Sequence, residues 1–292
     1  MGEIMIKKYP SSDKLKIRVM TRQEVDLAID WAAKEGWNPG LYDADCFYTT
    51  DQTGFLVCLL EKDPIAIISV VKYGTSFAFL GFYIVKPEFR GKGYGIQIWN
   101  AGMNSLIGRT VGLDGVVAQQ DNYKKSGFKL AYRNIRFGGF SKKTTQLSAN
   151  IIPLSSIPFE ELYEYDKPFF PDDRKDFLKC WINQPESSSL AIKQNRALRG
   201  YGVIRKCRTG YKIGPLFADN HKFAEELFNA LTVYVPEGSQ IFIDTPEVNR
   251  EAVEMAKRNG MTLSFETARM YRGEFPNLPV DKIYSVTSFE LG

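Results

Sequence analysis

Residues that bind metals or knit disulfide frameworks are scarce in this chain: of 292 residues, one is histidine and four are cysteine. Cys46, Cys58, Cys180 and Cys207 stand far apart with no C-x-x-C pair, and His221 alone completes no zinc constellation. The simplest reading is a reduced, cytoplasmic, metal-free protein. Long apolar runs are missing too. The longest, residues 64–71 and 77–85, reach about half of the roughly 20 residues a membrane helix needs, so they read as buried strands. No basic flank followed by an apolar stretch opens the chain, and Ile6 stands where a myristoylation signal carries Ser or Thr, so neither export nor a lipid anchor is expected. Basic runs are absent as well. The 38 Lys and Arg against 34 Asp and Glu leave +4 spread along the chain, which argues against nucleic acid or a membrane surface as partner. What remains is an ordinary globular composition, 44% hydrophobic and 25% charged, which excludes wholesale disorder, collagen and coiled coil. The length is about twice that of a usual domain of roughly 100–200 residues, so two domains are the starting expectation.

An internal repeat supports that division. Residues 81–85, Gly-Phe-Tyr-Ile-Val, face residues 214–218, Gly-Pro-Leu-Phe-Ala, and the offset of 133 that aligns them also carries Gly127-Phe128 onto Gly260-Met261 and 64–71 onto 197–204. One register held over some sixty residues points to two copies of one fold, divided near 144–152 into domains 1–145 and 146–292. The first copy reads as strand 16–20, helix 21–36 and strands 54–61, 64–72 and 77–85. Helix 93–107 and strand 110–116 follow. The second copy repeats this with strands 188–193, 198–207 and 211–217 and helix 221–232, whose Phe223, Leu227, Phe228 and Leu231 form an apolar stripe. The expected class is α/β (α+β), with a mixed sheet flanked by helices in each copy.

The passage 85–96, Val-Lys-Pro-Glu-Phe-Arg-Gly-Lys-Gly-Tyr-Gly-Ile, runs from a buried strand straight into an amphipathic helix. Gly91, Gly93 and Gly95 let backbone N–H groups converge without Cβ obstruction, the helix N-terminus adds orphan donors, and Arg90 and Lys92 add positive charge. An isolated R-x-x-G-x-G is as readily a tight turn, but the strand before it and the helix after it are what a pyrophosphate cradle needs. The mild basicity of the chain suits a phosphate-bearing cofactor. A Rossmann reading fails, because no βαβ unit or ribose-binding acid follows.

Here the chain resembles the GNAT superfamily of acetyl-CoA-dependent N-acetyltransferases, whose signature R/Q-x-x-G-x-G/A matches Arg90, Gly93 and Gly95. The resemblance covers the whole first half and includes a second signature, an aromatic residue four before a Gly-Phe pair, at Tyr123 and Gly127-Phe128. The family's Asn-x-x-Ala stretch is replaced by residues 117–122, so a shortened helix is expected there. Two tandem GNAT-like domains are implied, each with a mostly antiparallel sheet. In the second half the offset sets Phe223 opposite Arg90, Glu226 opposite Gly93, Phe228 opposite Gly95 and Ala256 opposite Tyr123. A carboxylate and two bulky rings where the diphosphate would sit mark this half as a degenerate copy. It serves either to stabilise the first half or to complete the acceptor cleft.

The resemblance implies that acetyl-CoA lies along Tyr83, Ile84 and Val85, with its diphosphate on Arg90, Gly91, Lys92, Gly93, Tyr94, Gly95 and Ile96, and with Asn122 at the far side. A backbone N–H near Val85 would polarise the thioester carbonyl while an amine attacks it directly. Tyr123 is the candidate acid for the departing thiolate, since a phenol with pKa ~10 can protonate a thiolate of pKa ~8.5 once positioned. The base is not named decisively. Glu88 sits in the loop, and Asp114 on the following strand is the candidate carried forward. His221 falls in the degenerate half, ahead of a helix, where a capping or surface role is expected. The acceptor, a small-molecule amine or a protein lysine, is assigned to the segment after the first helix. There Trp37, Tyr42 and Tyr48 offer cation–π faces and Asp43 or Asp45 an ion pair, although Trp37 and Phe47 serve equally as packing and the aspartates as helix caps. No metal and no oligomeric state is implied. The reading is an N-acetyltransferase; the alternative is an acyl-CoA-binding sensor or interaction module without turnover.

Overall fold

The computed structural model describes residues 15–142 and 148–292. The expected boundary between 145 and 146 lies outside the described residues. The first half contains β1 (Leu15–Val19), α1 (Arg22–Lys34), α2 (Asp43–Thr50), β2 (Phe55–Leu60), β3 (Asp63–Tyr73), β4 (Phe77–Val85), α3 (Tyr94–Asn104), β5 (Thr110–Val116), α4 (Gln120–Lys125) and β6 (Lys129–Phe140). The second contains β7 (Ile151–Pro153), α5 (Phe159–Asp166), α6 (Lys175–Trp181), β8 (Ser187–Gln194), β9 (Ala197–Lys206), β10 (Tyr211–Ala218), α7 (His221–Thr232), β11 (Gln240–Pro246), α8 (Arg250–Arg258), β12 (Thr262–Arg272) and β13 (Ile283–Ser285). The 133-residue offset maps β6 onto β12 from their first residues, and β2 and β3 onto β8 and β9 to within a residue or two.

Local chemistry accounts for the main elements. Thr21 and Glu24 close a capping box on α1, and Val25, Ala28, Ile29 and Ala32 recur at helical spacing on its buried face. β3 is buried on both faces, as a strand between two helical layers must be, and α3 turns Ile98, Trp99, Gly102 and Met103 inward. The shortened helix expected before Gly127 is α4, of six residues.

The sheet is continuous and the two copies share it. Its order is β1-β2-β3-β4-β5-β12-β6-β11-β10-β9-β8-β7, with β13 against β10. Each copy therefore lends its last long strand to the other: β12 pairs with β5, and β6 pairs with β11. Three apolar cores result. One lies under α3, one under α7 and α8, and the largest lies between the halves, where Phe47, Phe82, Trp181 and Phe217 come from both copies.

Helices α2 and α6 are equivalent in the repeat and pack on each other. Phe47 stacks on Trp181 with centroids 5.9 Å apart, and Cys46 forms a disulfide with Cys180 across Cα atoms 5.3 Å apart. This corrects the expectation of a fully reduced chain. The separation of 134 positions between the two cysteines hid a pairing created by the approach of equivalent positions. Cys58 and Cys207 are free and buried.

Candidate functional site

The site begins where two strands part. β4 and β5 run parallel and pair only from Phe77–Thr110 to Leu80–Leu113. Beyond that, β4 keeps to β3 through a register shift, Phe82 takes a left-handed φ of 45°, and β5 keeps to β12, its partner from Val111 to Val116. A buried phenylalanine held in that conformation is strained backbone at the fork. A cleft opens between the diverging strands, its inner chamber and outer mouth sharing Trp37, Tyr83, Val116 and Tyr123.

The outer mouth, about 450 Å³, holds most of the expected loop: Tyr83, Ile84, Val85, Arg90, Gly91, Gly93, Gly95 and Ile96 line it. Gly91 and Gly93 sit at φ 74° and 83°, and Gly93 is the N-cap of α3 with no side chain taking the first helical amides. Those donors stay available to an anion. Arg90 is held in place from two directions, its Nε donating to the Val85 carbonyl at 2.8 Å and its Nη2 to Glu35 at 2.5 Å. The cradle therefore fits a diphosphate-bearing acyl-CoA on its own geometry. Three expected contacts lie elsewhere. Lys92 is exposed over the Phe89 ring, Tyr94 is buried against Phe89, and Asn122 donates to Gln119, which lines the mouth in its place.

Tyr123 stands where mouth and chamber meet. Its ring stacks on Trp99 at 5.8 Å, its hydroxyl hydrogen-bonds to none of the described residues, and burial pushes the phenol well above its ordinary range. Asp114 also lines the chamber, but it is fully committed. Its oxygens accept from Arg269 Nε and Nη2 at 2.9 and 2.6 Å and from Asn134 Nδ2 at 2.8 Å, so it clamps β5 to β12 rather than standing free as a base.

Of the five residues expected at the acceptor, Trp37 alone lines the cleft. The others form or precede α2, whose packing directs them away. Asp43 is buried in an ion pair with Arg205, its Oδ1 accepting at 2.8 Å, and it takes the Gly40 amide. Asp45 pairs with Arg22 at the surface, Tyr42 donates to Glu186, and Tyr48 packs on the central core. His221 opens α7 and lines a separate surface hollow with Glu225 and Arg258.

The sequence reading missed the chamber's far wall, made by Phe265, Thr267, Phe289 and Glu290 of the second copy. Arg136 organises it, donating to the Trp37 carbonyl at 2.6 Å while its guanidinium lies 4.8 Å from the Phe289 ring centre. No local motif announces these residues; their placement depends on the shared sheet.

The corresponding fork in the second half is closed twice. β10 leaves β11 after Ile213, and β13 fills the gap by pairing Ser285 with Leu216 and Ile283 with Phe217. Two residues, Asp219 and Asn220, separate β10 from α7, so helix replaces the glycine loop, and Asn220 caps the Phe223 amide at 3.1 Å. Phe223 and Phe228 are buried in the core beneath.

Known proteins share this fold. The acetyltransferase (GNAT) family model matches residues 23–128, and an acetyltransferase (GNAT) domain model matches 162–285. A holothin acyltransferase of Pseudoalteromonas sp. (strain SANK 73390) is 32% identical over 270 residues, 92% of each chain. Among solved structures, a putative acetyltransferase from Pyrococcus horikoshii has a TM-score of 0.81 at 22% identity, covering 97% of both chains. A tandem GNAT protein from the clavulanic acid biosynthesis pathway has a TM-score of 0.62 at 11% identity, covering 89% of this chain and 99% of that one. Among the described residues, no helix is long and apolar enough to cross a membrane.

Proposed function

The chain belongs to the GNAT acetyltransferase family and is an acyltransferase, and from its cleft we infer that it moves the acyl group of acyl-CoA, acetyl-CoA foremost, onto a primary amine within the first half. The observation that carries this reading is the contrast between two equivalent forks, one open onto a glycine cradle and the other filled by β13. Acyl-CoA supplies an activated thioester carbonyl. The free amides of α3 and the Arg90 guanidinium hold the diphosphate, and the parted edge of β4 from Tyr83 to Val85 receives the pantetheine arm. Tyr123 is retained as a protonated phenol by burial and gives its proton to the departing sulfur. The second half acts as the wall of the acceptor chamber rather than as a second catalyst. Its rings, with Trp37 and Phe82, favour an acceptor whose amine is carried on a flat or apolar body. The holothin acyltransferase makes holothin the first acceptor to try.

Calorimetric titration of acetyl-CoA and longer acyl-CoA esters, with thiol release followed over a panel of amines including holothin, tests the reading. One site per chain is expected, with binding lost in Arg90→Glu, where a reversed charge meets the diphosphate, and thiol release that depends on the amine. Binding without such release is the outcome expected of a sensor. Two sites per chain, or binding indifferent to Arg90→Glu, overturns the placement in the first half.

A further inference from the structure

Beyond β13 the chain does not leave the molecule. Residues 286–292 thread into the central core: the Tyr73 hydroxyl donates to the Leu291 carbonyl at 3.0 Å, and Arg174 donates to Thr287 Oγ1 at 3.0 Å. The backbone of Glu290 passes so close to the fork that a Cβ on Gly81 would lie 2.2 Å from its carbonyl oxygen. Glu290 itself is 2% exposed, lines the inner chamber, and neither carboxylate oxygen has a hydrogen-bond partner among the described residues. Leaving a buried carboxylate without a hydrogen-bond partner costs free energy that an apolar side chain would avoid, so its position in the chamber points to a donor that arrives from outside.

We propose that Glu290, brought from the second copy, is the catalytic base that deprotonates the acceptor amine in the first copy's cleft. The proposal rests on the acyl-transfer reading above and supplies the base that Asp114, locked to Arg269, does not. The neutral amine's nitrogen bonds to the thioester carbonyl carbon, and the C–S bond breaks with its electron pair on the CoA sulfur. One amine proton passes to the Glu290 carboxylate, and the Tyr123 phenol proton passes to the sulfur. Proton exchange with solvent then returns Glu290 to its carboxylate and Tyr123 to its phenol. The charged groups around Glu290 are Lys212 of β10, Arg136 of β6, Arg205 of β9 and Asp43 of α2. Arg136 is spoken for by Asp244 and Arg205 by Asp43, while Lys212, 3.8 Å from Asp244 and hydrogen-bonded to none of the described residues, is the strongest of the charges acting on Glu290. Burial is the largest influence and, with Asp43, outweighs the three cations to raise the carboxyl above its ordinary range.

Glu290→Gln preserves size and tests this. With the acceptor found in the thiol-release screen, kcat/KM is expected to fall at least a hundredfold while acyl-CoA affinity stays within threefold. Stability is a readout independent of turnover. A carboxyl whose pKa is raised on folding destabilises the fold increasingly as pH climbs past its unfolded value near 4.5, so the melting temperature of Glu290→Gln relative to the parent should rise between pH 5 and pH 8. Amine-dependent turnover within threefold of the parent, or a melting temperature below the parent's across that range, overturns the proposal. Should the glutamine variant not fold, Glu290→Asp decides. It keeps a carboxylate and should retain a tenth or more of the rate; loss beyond a thousandfold with acyl-CoA binding intact overturns the assignment. A parent enzyme that releases no thiol with any amine sinks the acyl-transfer reading itself, whereas a parent active alongside an equally active Glu290→Gln sinks only the base.

Discussion

Tyr123 shows how one side chain combines packing with chemistry. Its ring is fixed by Trp99 on one side, while Gly115 beneath leaves the room it needs: a Cβ there would come within 2.2 Å of the ring. Burial lifts the phenol, so the residue stays protonated through the neutral range and holds a proton for the leaving sulfur. Tyr123→Phe removes one oxygen and leaves the stack. The expected result is unchanged acyl-CoA binding by calorimetry with kcat lowered about 10²-fold or more, the usual loss when a positioned acid is removed. Full turnover in that variant would rule Tyr123 out as the acid. Asp114 is the counterexample, because in sequence it is an acid on the right strand, and in the fold Arg269 claims it.

At the scale of the element, α1 is the best-specified piece of the chain. Arg18 of β1 reaches its capping box and holds Glu24 at 2.6 and 2.7 Å, lowering that carboxyl to about 2, chiefly through the Arg18 hydrogen bond. A depressed carboxylate contributes stability that is present above its unfolded pKa of about 4.5 and is lost as pH falls toward about 2. The pair is partly solvated, so the effect is modest. Thermal melts of the parent and Glu24→Gln should therefore converge as pH drops from 5 to 2, and curves that stay parallel would assign the ion pair no role. The fork elements show the opposite case. β4 and β10 share sequence character, yet one borders an open cleft and the other holds β13, because the neighbour of each is set by distant segments.

For the whole molecule, the exchange of β6 and β12 joins the two copies in one continuous sheet. Buried pairs between Asp43 and Arg205 and between Arg136 and Asp244 tie the copies together away from solvent. The disulfide adds a covalent tie at the approach of α2 and α6. Denatured without reductant, the protein should show two reactive thiols, Cys58 and Cys207, and four after reduction. Cys46→Ser with Cys180→Ser should lower stability by about 2–4 kcal/mol in denaturant melts, since the bridge restricts a long loop of the unfolded chain. Four reactive thiols before reduction would disprove the bridge.

The sequence by itself determined the repeat, the class, most strand and helix positions of the open fork, and the phosphate cradle. These rest on local signals: side-chain periodicity, glycines that permit left-handed backbone, and a helix that begins where a strand ends. Tyr123 was legible for the same reason, through its spacing to Gly127-Phe128. The disulfide was half-legible, because positions 46 and 180 differ by one residue more than the repeat offset, but only the mutual approach of equivalent helices turned that coincidence into a bond. Tertiary structure alone decided that Asp43 pairs with Arg205 and Asp114 with Arg269, that the second half closes its own fork with β13, and that Glu290 stands in the first half's chamber without a hydrogen-bond partner among the described residues. Each of those outcomes depends on which distant strand becomes a neighbour, and neighbours across a shared sheet are chosen by the burial of whole faces, which no local stretch of sequence records.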